Sequence, residues 1–129
     1  MEKSDLEQFK ALYLSTGKEY IEKLKESVEV LHQDPNRQES LNSFHISAHS
    51  LKSQSLVMGF VSTGELAHSL ERFARSLKEK TLAFPVEHTE KVTKIIAELE
   101  GSLNHIETIG TENEMKQSIQ EFEEVIVNL

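Results

Sequence analysis

Residues 37–59 read RQESLNSFHISAHSLKSQSLVMG, and this stretch decides the fold. Leu41, Phe44, Ala48, Leu51, Ser55 and Met58 recur in it at steps of three and four. That spacing marks one face of an α-helix and not the alternation of a strand. The stretch follows Asp34-Pro35-Asn36, where proline disfavours helix at the residue before it. It ends at Gly59, a residue suited to the left-handed turn that closes helices. A helix over about 37–58 is therefore predicted, with His45, His49 and Lys52 beside its apolar stripe.

Four similar segments flank it. A helix over about 4–32 carries Leu6, Phe9, Tyr13, Tyr20, Leu24, Val28 and Leu31, and opens on a capping box of Ser4 and Glu7. A helix over 63–80 carries Leu66, Leu70, Phe73 and Leu77 behind a second box, Ser62 and Glu65. Pro85 suits a first helical position, so a fourth helix is placed over 85–109, with Val92, Ile95, Ile96, Leu99, Leu103 and Ile106 inward. A third box, Thr111 and Glu114, opens a fifth helix over 112–128 with Met115, Ile119, Phe122, Ile126 and Leu129. The stripes are expected to be core. The acidic runs at 112–114 and 121–124 are expected to be solvated faces, and His32, His88 and His105 surface residues. Short loops favour antiparallel neighbours. The expected fold is all-α: an antiparallel four-helix bundle with an additional fifth C-terminal helix, one domain over 1–129.

Composition narrows the function. The chain has 129 residues, of which 37% are hydrophobic and 28% charged, the balance of a globular domain. A formal charge of −8 repels phosphate backbones and anionic lipid, so neither nucleic acid nor a membrane surface is an expected partner. The absence of cysteine rules out disulfides and thiolate metal sites. The opening MEKSDLEQF has no apolar signal core, and no apolar run is long enough to span a bilayer. A cytoplasmic location is expected. No glycine-rich P-loop is present.

The chemistry gathers around His49 and Lys52. Three apart on a helix, they share a face. A neutral imidazole is a nucleophile, and a neighbouring ammonium offsets charge on an incoming oxyanion. On the third helix His68 and Glu71 are also three apart. If the second and third helices pack antiparallel, the Glu71 carboxylate is able to accept one imidazole N–H and leave the other nitrogen to react. His45 and His49 at i, i+4 also admit a metal site, but the paired Glu-x-x-His signature of carboxylate-rich bundles is missing.

These residues resemble a known family. The segment H-S-L-K-S-Q-S-L-V-M-G-F (His49 to Phe60) is similar to the pattern H-S-[IL]-K-G-x-S-x-x-x-G-F of the N-terminal phosphotransfer domain of CheA-type chemotaxis histidine kinases. His68 and Glu71 match that family's H-x-x-E on the following helix. The resemblance implies that His49 is phosphorylated on Nε2, that Glu71 holds Nδ1–H, and that Lys52 and His68 support the site. It implies two partners, a histidine kinase ATP-binding domain and a response-regulator receiver domain. ATP and Mg²⁺ would be used on the partner side, with no cofactor or metal in this chain. Ser53 departs from the pattern, which has glycine there. The other readings are a stand-alone member of a multistep phosphorelay and a non-catalytic helical adaptor.

Overall fold

Helix α2 (Gln38–Val57) closes at Gly59, which has φ of 85°. Gly59 N–H bonds the Leu56 carbonyl at 3.0 Å and Phe60 N–H bonds the Ser55 carbonyl at 2.8 Å. This paired closure needs a left-handed residue at Gly59, which glycine supplies without a Cβ clash. Helix α3 begins at Val61 and runs to Glu79, so only Met58, Gly59 and Phe60 separate the two helices. They fold back antiparallel. Gly64 lets them approach closely, since a Cβ built there would lie 2.6 Å from Leu56 Cδ2.

The structure, a computed structural model, describes residues 2–129. Besides α2 and α3 it contains α1 (Lys3–Gln33), a single 3₁₀ turn (Val86–His88), α4 (Thr89–Thr108) and α5 (Lys116–Val127), with no strand among the described residues. Helix α1 runs antiparallel to α2, with Tyr13 Oη 2.7 Å from Ser55 Oγ. Helix α4 returns along α1, tied by Lys18–Glu107 at 2.6 Å and Lys25–Glu100 at 2.8 Å. It closes the ring against α3, where Thr63 Oγ1 meets Ser102 Oγ at 2.9 Å. Helix α5 lies alongside α3, and its Ser118 bonds Glu98 of α4 at 2.9 Å. The protein is all-α, a four-helix bundle with a fifth helix packed on it.

The core follows the predicted stripes of α2, α3 and α4. Phe73 sits at its centre, with ring centroids 6.3 Å from Phe44, 6.0 Å from Phe84 and 5.4 Å from Phe122. The α1 stripe needs correction. Leu6 and Phe9 were expected inside, yet they are 53% and 50% exposed. With Tyr13 opposite Ser55, α1 has ten residues left (3–12) where α2 has two (56 and 57), so the first turns of α1 overhang the bundle. Leu14 and Ile21 are buried in their place.

None of the three capping boxes forms. The residues preceding α1, α3 and α5 are Glu2, Phe60 and Met115, none with a side-chain cap bond. Helix α5 starts at Lys116 and not at 112, because its would-be first turn is drawn to α3. There Glu112 accepts the N–H groups of Ser62 and Thr63 at 3.2 and 2.7 Å, and Ser62 Oγ accepts Met115 N–H at 3.0 Å. A cap contributed from another segment replaces the local one, satisfying the same orphan donors. The acidic runs are thus not wholly solvated: Glu112 caps α3 and Glu123 pairs with Arg72. His32 is exposed as expected, while His88 and His105 are half-buried.

Candidate functional site

Helix periodicity puts His45, His49 and Lys52 along the edge of α2 that borders α3, and His68, Glu71, Arg75 and Lys78 along the facing edge of α3. The antiparallel register brings the two rows together. His49 Nδ1 hydrogen-bonds Glu71 Oε2. Lys52 Nζ donates to Glu71 Oε1 at 2.9 Å. His68 Nε2 lies 3.8 Å from the same oxygen and Arg75 Nη2 at 3.5 Å. Of the four residues singled out from sequence, three are joined directly and His68 stands at the margin.

Glu71 is 1% exposed, whereas the His49 side chain is 57% exposed. Burial alone raises a carboxyl's pKa. Here hydrogen bonds from Lys52 and His49, with their charge, outweigh burial and hold the Glu71 carboxyl below the usual range. Glu71 is therefore an ionised carboxylate at neutral pH. An ionised carboxylate only accepts, so Nδ1 carries the proton. The neutral imidazole then has its lone pair on Nε2, which no protein group bonds among the described residues.

A half-exposed imidazole is thus held through Nδ1 by a buried carboxylate, with Nε2 left free, an arrangement able to present a nucleophile. A family model described as Hpt domain matches residues 8–120. The chain belongs to the Hpt domain family. The Chemotaxis protein CheA of Halobacterium salinarum is 23% identical to it over 105 residues, covering 81% of this chain but only 16% of that protein. No solved structure matches the chain.

Several features of this Hpt domain were not read from its sequence. Arg75 reaches Glu71 from one turn further along α3; the i, i+4 spacing was available as a signal, but an arginine among other charged residues on a helix does not stand out. Lys52 is more enclosed than a free cation, with a side chain 20% exposed and committed to Glu71. Burial, then Lys52, pushes the His68 imidazole below its usual range, so it is a neutral neighbour of the site. His45 takes a hydrogen bond from Lys78 Nζ at 2.8 Å. Ser53 lines a groove between α1 and α2 with Leu6, Phe9, Leu12, Val57 and Met58, a cavity of about 560 Å³.

Proposed function

We propose that His49 is the phosphoryl carrier of this phosphotransfer domain, charged by a histidine kinase ATP-binding domain and discharged by a response-regulator receiver domain in a cytoplasmic, chemotaxis-type relay. In the first step the Nε2 lone pair attacks the γ-phosphorus of ATP, the N–P bond forms, and the bond to the bridging oxygen breaks to release ADP. Positive charge arising on the ring is shared through Nδ1–H with Glu71. In the second step an aspartate oxygen of the receiver attacks phosphorus and the N–P bond breaks. The electron pair returns to Nε2. Mg²⁺ belongs to the partner sides.

The observation that carries this reading is the buried, ionised Glu71 fixed on Nδ1 while Nε2 faces the open side. Lys52 acts through Glu71: its ammonium keeps the carboxylate ionised and aimed. Leu56 (44%) and Val57 (86%) are exposed large apolar residues beyond Lys52, as surfaces visited by two successive partners require. The relationship to CheA, which also comprises a much longer chain, favours a chemotaxis-type kinase as the donor.

Incubation with a CheA-type kinase and labelled ATP tests it. The expected product is an acid-labile, alkali-stable phosphate, retained in His45→Gln and absent from His49→Gln, which keeps the fold. Labelling of His49→Gln with loss of label in His45→Gln would move the site by one turn. No label under conditions where a control domain is charged favours the adaptor reading.

A further inference from the structure

One turn from His49 the same pair of helices gathers three basic groups around a single carboxylate, Glu71, that Lys52 already holds. Lys78 Nζ is 2.8 Å from His45 Nδ1, an ammonium donating to an imidazole. Burial lowers the Lys78 pKa, and no carboxylate field raises it. Burial, then the Lys78 charge, also lowers that of His45, with Arg75 and His49 adding to the effect and Glu71 opposing it. Arg75 lies three residues before Lys78 on the same face, its guanidinium half-exposed and only 3.5 Å from a Glu71 oxygen already held by Lys52. An ammonium, an imidazole and a guanidinium thus border one patch of surface on a chain whose overall charge is −8.

We infer that Lys78, His45 and Arg75 form a binding site for a phosphate-class oxyanion beside His49. Lysine binds phosphate as a point charge, arginine as a fork of parallel donors. With the anion in place, the Lys78 ammonium turns to it, and Nδ1 of His45, freed from Lys78, takes a proton from solvent and becomes a further donor. Binding therefore consumes about one proton per anion. Cβ atoms at i and i+4 are about 5–6 Å apart, so the anion sits beside the group on His49 and not upon it. That is the place of the next phosphate of a donor nucleotide during charging. Free phosphate is the other source of the same chemistry. Only the role in charging rests on the phosphoryl chemistry proposed for His49; the binding does not.

The test is an NMR titration of the histidine ring protons with inorganic phosphate, against chloride at equal ionic strength. His45 is expected to shift saturably with phosphate alone and to gain a proton. The response should persist in His49→Gln and weaken about tenfold in Lys78→Gln, the loss of one charge-assisted hydrogen bond. Because the chain as a whole repels anions, a phosphate-specific response at His45 requires a local site. Equal shifts with chloride, shifts confined to His49, or an undiminished response in Lys78→Gln overturn the site. Kinase charging then separates the sources: a slower rate in Lys78→Gln identifies the nucleotide's phosphate, an unchanged rate free phosphate. A kinase that never labels His49 counts against the proposed function and leaves the His45 response standing.

Discussion

The carboxylate of Glu112 receives both the backbone N–H and the hydroxyl of Thr63, each at 2.7 Å. The hydroxyl in turn accepts from Ser102, whose oxygen accepts Asn113 N–H at 3.0 Å. The segment between α4 and α5 thereby supplies the negative charge and the acceptors that the start of α3 lacks locally. Glu112→Ala is expected to lower stability by about 1–2 kcal/mol, the value of a helix cap. Glu112→Gln, which keeps an acceptor, should lose less. Urea unfolding decides it; a loss within the range of ordinary surface changes would mean that water caps α3 equally well.

Acid should weaken the site through Glu71. Its folded-state pKa is depressed, so its contribution is fully present above the ordinary carboxylate range and is lost as pH falls through the folded value. Glu71→Gln lacks that contribution. The stability difference between the two proteins should be about 1–3 kcal/mol near pH 7, the value of hydrogen bonds to a charged group, and shrink as pH falls below the ordinary carboxylate range. A difference that stays constant with pH would show that the carboxylate's charge contributes nothing. Charging of His49 should slow in the variant without vanishing.

Lys52 and Arg75 touch the same oxygen but should differ in cost. Lys52→Ala leaves a buried carboxylate short of its closest cation, an expected loss of about 1–3 kcal/mol, more than a surface position would give. Arg75→Ala should stay within about 0.5 kcal/mol, because the guanidinium is half-exposed and its contact long. Thermal unfolding of both separates the roles, and equal losses would contradict this division.

Among the described residues, Thr81 is the non-glycine residue with positive φ, at 55°. It ends α3 in the same paired closure that Gly59 provides for α2, with Leu82 N–H on the Leu77 carbonyl at 2.8 Å. A β-branched residue is strained there. Thr81→Gly should raise stability by about 0.5–1 kcal/mol, read as a higher Tm. A fall in Tm would show that the Thr81 side chain contributes more than its backbone costs.

The sequence was a good guide wherever a helix met the core in a regular stripe. Phe44, Leu51, Leu66, Phe73 and Leu99 are buried as their spacing requires. It misled where the outcome depends on which helix ends first, as with Leu6 and Phe9. It also misled where a long-range bond displaces a local one, as when Glu112 supplants the Ser62–Glu65 box. At the site, His49, Lys52 and Glu71 were legible because their spacing, once α2 and α3 are antiparallel, leaves little choice. Arg75 and Lys78 were not, since their meaning lies in what they lack: the one shares an oxygen already taken, and the other faces an imidazole where a carboxylate would be ordinary.

The turn at 58–60 acts as a gauge block for the site. Leu56 meets Gly64, and seven residues further from the turn on each helix (56 to 49, 64 to 71) His49 meets Glu71. Seven residues are about two turns, so the same faces oppose each other at both levels. Each residue added to or removed from the three in the turn would rotate α3 by about 100° relative to α2 or force it to slide by about 1.5 Å. Either movement carries the Glu71 carboxylate off Nδ1 with every chemical group still present. A length change at Gly59, far from any reacting atom, is thus equivalent to deleting the carboxylate, while point substitutions at the exposed positions nearby are not. The number of residues in a surface turn thus sets the register of the site, alongside the one identity the turn requires, the left-handed glycine at 59.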